Sequence, residues 1–110
     1  MGRFVKGEVV VVPFPFSDLT DTKRRPALVV AQLQGSDLIL CQITSVDRGA
    51  PYAIALTDVD FVSGALHRPS FICANRIFTG EASLVHRSIG HISEKKLAEV
   101  TALIVSILNC

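Results

Sequence analysis

Three consecutive cations, Lys23, Arg24 and Arg25, stand immediately before Pro26, and a pair of hydroxyls, Thr44 and Ser45, closes an alternating apolar stretch further along. The short connection Gln34-Gly35-Ser36 links the two groups and forces the segments on either side of it into an antiparallel hairpin. Partner numbers in such a hairpin sum to about 69 or 70, which sets Arg25 opposite Thr44 or Ser45. Directly opposed residues hold their Cβ atoms about 4.5–5.5 Å apart. A planar guanidinium fork, matched to phosphate oxygens, would converge there with one or two hydroxyls able to donate or accept. Together with the polar stretch Ser17–Arg24 that leads into it, this is the chemistry of an anion pocket. A solvated basic loop in front of a strand has the same composition, and threonine is common in strands for its packing. On spacing alone both readings stay open.

Other reactive side chains are sparser. His67 lies in a loop-like stretch, where an imidazole titrating near neutral pH can act as a base or simply be an exposed loop side chain. The three histidines have no zinc-type spacing, so neither a metal nor another cofactor is expected. Cys41, Cys73 and Cys110 are odd in number and widely spaced, with no C-x-x-C pair and no secretory leader. That pattern points to a reduced, cytoplasmic protein. Cys41 falls inside an apolar strand pattern and reads as a core residue.

These residues must be positioned by one domain spanning residues 1–110, a length at which a hydrophobic core needs no staples. Glu8–Phe14, a valine run ending near a proline, reads as a strand buried on both faces. Ser17–Arg25 reads as a loop, Ala27–Leu33 as a strand begun after Pro26, and Asp37–Thr44 as a clean alternating strand. Shorter strands are expected at Ala53–Leu56, Ser70–Ala74 and Ile89–Ile92. The last element differs: Ser93 is an N-cap, Glu94 suits the positive end of a helix, and Ile92 and Leu97 have staple spacing. Leu97, Val100, Ile104, Ile107 and Leu108 recur at helical spacing, so a helix of about fifteen residues closes the chain. The pattern is a small curled sheet or barrel with a C-terminal helix.

Charge and hydropathy narrow the function classes. A net charge of +1 excludes diffuse electrostatic adhesion to nucleic acid, although local basic sites can still bind phosphate. The signs are segregated: Ser36–Gly64 carries four aspartates against Arg48 alone, whereas Ala65–His91 carries Arg68, Arg76, Arg87 and three histidines against Glu81. The chain is 49% hydrophobic and only 19% charged, with a mean hydropathy of +0.44; about 25% charged is usual. Such an apolar surplus in a small chain predicts a buried interface with another protein surface. No apolar run approaches the roughly 18–20 residues that span a bilayer, so no membrane association is expected.

Three stretches together resemble the PemK/MazF toxin family. Gly7-Glu8-Val9-Val10-Val11-Val12-Pro13-Phe14-Pro15-Phe16-Ser17-Asp18 is similar to its opening strand. Arg24-Arg25-Pro26-Ala27-Leu28-Val29-Val30 is similar to its second strand, and Leu38-Ile39-Leu40-Cys41-Gln42-Ile43-Thr44-Ser45 to its third. Ser70–Thr79 and Ile89-Gly90-His91-Ile92-Ser93 follow the later strand and the start of its helix, in order and at matching spacings.

The resemblance implies a mainly β fold, a small SH3-like barrel with a C-terminal helix as in the CcdB/PemK-like plasmid maintenance toxins, assembled as a homodimer. It implies the toxin of a type II toxin–antitoxin system: a metal-independent, sequence-selective endoribonuclease acting on single-stranded RNA. Attack by the substrate 2′-OH would leave 2′,3′-cyclic phosphate and 5′-OH ends, and a cognate antitoxin would block the site. The family's catalytic arginine and threonine carry over onto Arg25 and Thr44, the two residues that the hairpin register brings together. A guanidinium is a poor proton donor at neutral pH, so Arg25 suits stabilisation of the charged phosphorane, while Thr44 donates to a phosphate oxygen or orients the 2′-OH. Lys23, Arg24, Ser45, His67, Asn75 and Arg76 are candidate RNA contacts. The chain departs from some relatives in reading Cys73-Ala74-Asn75 where they have Arg-x-Asp, and an amide is no general base. A gyrase inhibitor on the same fold would use a tryptophan-bearing tail, and this chain has no tryptophan; a catalytically inactive RNA-binding relative is the other alternative.

Overall fold

The computed structural model describes residues 4–14, 23–46, 49 and 51–110. Among the described residues, seven strands precede one helix: β1 (Glu8–Phe14), β2 (Lys23–Gln32), β3 (Asp37–Thr44), β4 (Ala53–Leu56), β5 (Phe61–Gly64), β6 (Ser70–Glu81), β7 (Arg87–Ile92) and α1 (Glu94–Leu108). The strands form one curled sheet in the order β4-β6-β3-β2-β1-β7-β5, antiparallel at every pairing.

The valine run of β1 is buried on both faces, as expected of a β-branched strand with neighbours on either side. Val9 joins Leu28, Cys41, Ile43, Ile72 and Ile92 in one apolar cluster, onto which Val100, Leu97, Leu103 and Ile104 of α1 pack. Val10 and Val12 join Ala27, Val29, Leu38 and Leu40 in the other, covered by Phe4, Phe78, Ala82 and Val85. Cys41 is fully buried in the first cluster, as its place in the strand pattern predicts.

Both expected hairpin registers occur. Ala27↔Gln42 through Val29↔Leu40 share one register, and a bulge shifts the pairing to Ala31↔Ile39 and Gln32↔Leu38 nearer the turn. The bulge adds one residue to β2 and increases local twist, which helps the sheet curl.

Four elements differ from the sequence reading, the least of them β7, which begins two residues early at Arg87. The cations expected in a loop begin β2, because β1 continues to pair with them through Phe14↔Lys23 and Pro13↔Arg24. Strand β6 runs on past Ala74 to Glu81, with its pairing to β3 shifting between Cys41↔Ile77 and Ile43↔Ile72. That shift breaks the alternation by which a long strand would be read. Strand β5, not expected at all, follows a 3-10 turn at Asp58–Asp60 whose start is tied by Thr57 N–H donating to Asp60 Oδ2 (2.9 Å).

The helix begins as expected. Lys96 N–H donates to Ser93 Oγ at 3.2 Å, and Ile92 and Leu97 meet in the same core cluster. Lys96 Nζ reaches back to the Ala55 carbonyl at 3.1 Å, with Asp60 and Glu99 carboxylates at 3.7 and 3.2 Å. The apolar face ends earlier than its spacing suggests, since Leu108 is 70% exposed. Among the described residues no helix is long and apolar enough to cross a membrane.

Candidate functional site

The site grows from one row of the sheet. Val11 at the centre of β1 pairs with Pro26 of β2 on one side and Arg87 of β7 on the other. Next along, Val12 pairs with Arg25 and Pro13 with Arg24. Continuing the β2–β3 register beyond Ala27↔Gln42 brings Arg25 level with Thr44. The strand ends thus converge on a cavity of about 530 Å³, whose lining includes Arg25 and Thr44.

Its walls are chemically one-sided. Arg24, Arg25, His67, Arg68, His86 and Arg87 line it, with no aspartate or glutamate among the described lining residues. The floor is apolar, from Val11, Pro26, Ile43, Leu66 and Ile89, and three hydroxyls, Thr44, Ser45 and Ser70, complete it. A low-dielectric floor beneath like-signed charges focuses the field on whatever anion enters. Most of these side chains are solvated, which screens their mutual repulsion: Arg24, His67, Arg68, His86 and Arg87 are exposed, and Arg25 is half-buried.

Several local bonds fix the cavity's shape. Thr44 Oγ1 accepts the Val46 N–H at 3.2 Å, which turns the chain after β3 and leaves the hydroxyl proton for another acceptor. The nearly buried Ser70 donates its Oγ–H to the Arg68 carbonyl at 3.1 Å, pinning the stretch that carries His67 and Arg68. His86 is held by its own N–H donating to the Val11 carbonyl at 2.7 Å. Its Nε2 lies 3.3 Å from Arg24 Nη1. His91 is used otherwise: its Nδ1–H donates to the Ile92 carbonyl at 2.8 Å, away from the cavity lining.

Of the residues singled out from the sequence, Arg24, Arg25, Thr44, Ser45 and His67 meet around this cavity. Lys23 opens β2 opposite Phe14, and its side chain lies outside the described residues, as does the polar stretch before it. Asn75 and Arg76 are exposed on β6, where its ladder with β3 shifts, and are not among the lining residues. Arg68, His86 and Arg87 were not singled out individually. The reversal of charge sign over residues 65–91 pointed to their segment, but nothing local showed that β7 would lie beside β1.

The cysteines take no part in the cavity lining. Burial pushes the Cys41 thiol up to about 12, with the neighbouring Cys73 adding to the effect. Burial also raises Cys73, offset in part by Arg76. Cys41 Sγ–H donates to the Cys73 carbonyl at 2.9 Å, a bond between neighbouring strands of the core. Among the described residues no three His, Cys, Asp or Glu side chains group together as metal ligands would.

Comparison with known proteins agrees with this architecture. A similar fold occurs in a mycobacterial endoribonuclease solved in complex with its cognate antitoxin (TM-score 0.75, 15% identity, covering 97% of this chain and 96% of that one). MazF in a MazE–MazF complex from Deinococcus radiodurans is similar at a TM-score of 0.76 and 22% identity, over 96% of this chain and 95% of that one. The Mycobacterium tuberculosis toxin MazF-mt6 is similar at 0.73 and 16%, over 93% and 96%. None of the curated proteins matches the chain by sequence. Residues 5–108 match the model of the PemK-like, MazF-like toxins of type II toxin–antitoxin systems. With nearly its whole length accounted for, the chain belongs to that family of toxins.

Proposed function

We propose that the protein is an endoribonuclease toxin that cuts single-stranded RNA in the cavity beside the centre of β1, at the starts of β2 and β7 and the end of β3. The observation that carries the reading is the charge of that cavity: among the described residues that line it there are six arginine and histidine side chains and no carboxylate, in a chain whose net charge is only +1. Concentrating cationic groups at one place costs self-repulsion, and an anionic ligand removes that cost. RNA brings the anion at every nucleotide and, in its 2′-OH, a nucleophile beside each phosphodiester.

In this reading the 2′-oxygen attacks the adjacent phosphorus, and the 5′-oxygen leaves, giving 2′,3′-cyclic phosphate and 5′-OH ends without a metal. Arg25 lies against the pentavalent phosphorane, where its fork pairs with two equatorial oxygens as their charge grows. Thr44 donates its free hydroxyl proton to a phosphate oxygen. Arg24, Ser45 and His67 contact flanking nucleotides, with Lys23 at the start of β2. Asn75 and Arg76 would meet only a strand long enough to extend beyond the cavity.

The working form is a cytoplasmic homodimer that a cognate antitoxin silences by occupying the RNA surface. Exposed apolar side chains such as Val59, Val62 and Leu108 provide surface for such contacts. The mycobacterial and Deinococcus relatives solved with their antitoxins support the pairing.

The test is cleavage of a mixed-sequence RNA by the purified protein in EDTA, with the new ends identified chemically. New 5′-OH ends, lost in Arg25→Ala while its thermal unfolding is unchanged, are the expected result. Intact RNA, or undiminished cleavage by Arg25→Ala, would overturn the assignment.

A further inference from the structure

The reaction needs a proton acceptor for the 2′-OH, and we infer that His86 is that acceptor, through its Nε2. The inference rests on the ribonuclease reading above and adds the base that this reading leaves unassigned. Of the groups lining the cavity, arginine has no lone pair to offer and a hydroxyl is too weak a base at neutral pH. Among the described lining residues there is no carboxylate, and the groups there with a basic lone pair are two imidazoles, His67 and His86.

The contact with Arg24 separates them. A guanidinium can only donate, so the 3.3 Å approach of Arg24 Nη1 makes Nε2 of His86 the acceptor and leaves the ring proton on Nδ1. The neutral tautomer with a lone pair on Nε2, the form a base requires, is thereby selected before substrate arrives. The residue's main chain is anchored by its N–H to the Val11 carbonyl, in the row that also carries Pro26 and Arg87. Among the described residues no comparable bond fixes the His67 ring.

Entry of a phosphodiester changes Arg24's partner. A phosphate oxygen is a stronger acceptor than an imidazole nitrogen, since it carries the charge that the guanidinium complements. As Arg24 moves to it, the Nε2 lone pair is released beside the incoming ribose. Nε2 then takes the proton from the 2′-OH, and the oxygen's electron pair forms the new O–P bond. The P–O5′ bond breaks with its electrons on O5′, which takes a proton from solvent water, and the His86 imidazolium returns its proton to solvent. Among the described residues, the ionisable groups that share the cavity lining with His86 are Arg24 and Arg25 from β2, His67 and Arg68 from the stretch after β5, and Arg87 beside it in β7. All are basic.

Steady-state RNA cleavage in EDTA, followed from about pH 5 to pH 9, tests this on the parent, His86→Gln and His67→Gln. His86→Gln should lose about 100-fold or more in kcat with little change in KM, and should lose the acid limb of the pH profile. His67→Gln should keep that limb. Because His86 is exposed, thermal unfolding of its variant should match the parent. Retention of the parent's kcat and acid limb by His86→Gln overturns the proposal while the ribonuclease reading stands; an uncleaved RNA with the parent removes both. Nitrogen-15 NMR of the ring is a second readout that does not depend on cleavage. It should find the proton on Nδ1 of His86 in the parent, and a proton found on Nε2 instead would overturn the assignment.

Discussion

Gly64 and Gly35 share a φ of +72° but have opposite surroundings, and this makes them a matched pair. A side chain at either position must enter the left-handed region, which costs an L-residue about 1–2 kcal/mol. At Gly35, in the β2–β3 turn, a Cβ would meet nothing within 4 Å. At Gly64, at the end of β5, it would lie 2.0 Å from the Ile89 carbonyl oxygen of β7, well inside the 3.4 Å of ordinary contact. Strand β5 would have to draw away from β7 and lose pairing around Gly64↔Gly90. Two ladder hydrogen bonds at about 1 kcal/mol each add to the conformational cost, so Gly64→Ala should destabilise by about 3–4 kcal/mol. Gly35→Ala should cost only about 1–2 kcal/mol. At about 4–8 °C per kcal/mol for a chain of this size, Gly64→Ala lowers Tm by roughly 12–30 °C. Thermal and urea unfolding of both variants at one protein concentration measure the difference. The reasoning fails if Gly64→Ala is no more destabilising than Gly35→Ala. Strand β5 leads directly into the stretch bearing Leu66, His67 and Arg68, so the damaged variant should also show weaker RNA binding.

Other consequences can be measured independently. At pH 8 a thiol reagent should label Cys110 rapidly and leave Cys41 and Cys73 unmodified until the chain unfolds, since only Cys110 is exposed; fast labelling of all three would contradict the core packing. The Cys41 thiol ionises near 9 in the unfolded chain and near 12 in the folded one. The folded state therefore retains a proton that the unfolded state releases. Its stabilising effect is complete below pH 9 and is lost as pH rises toward 12, at about 1.4 kcal/mol per pH unit. Cys41→Ala should flatten that alkaline decline in urea-unfolding experiments, and an unchanged slope would refute the cause. Ser93→Ala removes the acceptor for Lys96 N–H and should cost about 1 kcal/mol in the same experiment; no loss would mean the cap contributes nothing. RNA affinity should fall with salt, and Arg68→Ala and Arg87→Ala should each reduce the log–log slope by about 0.7 if each arginine meets one phosphate. Variants with the parent's slope would exclude those contacts.

The parts of the fold legible in the sequence are those set by local pattern. The valine run, the hairpin about Gln34–Ser36 and the capped helix each follow from composition and spacing over a few residues. What escaped depends on neighbours distant in the chain. Strand β5 is four residues long and owes its conformation to pairing with β7. Lys23–Arg25 look like loop in isolation and are strand because β1 continues alongside them. In β6 the shift between Ile72 and Ile77 carries Asn75 and Arg76 out of simple alternation, which also explains why they are exposed rather than turned into the cavity. Leu108 satisfies the helical period and still faces solvent, since the core contacts of α1 are made by Leu97, Val100, Leu103 and Ile104.

The candidate site divides along the same line. Arg25 and Thr44 could be brought together from a single hairpin, where turn length fixes register. His86 stands 62 residues from Arg24 in the chain, and only the insertion of β7 between β1 and β5 sets it beside the cavity. The same topology explains the electrostatics. Segregation of charge sign along the sequence is preserved in space because β7 and the stretch before β6, both from the basic segment, converge on the basic start of β2. A net charge of +1 thus conceals a cavity whose described ionisable lining residues are all arginine or histidine. Weak attraction at long range and strong attraction at the cavity follow together: a strand of RNA would be bound at a few phosphates rather than along the whole surface.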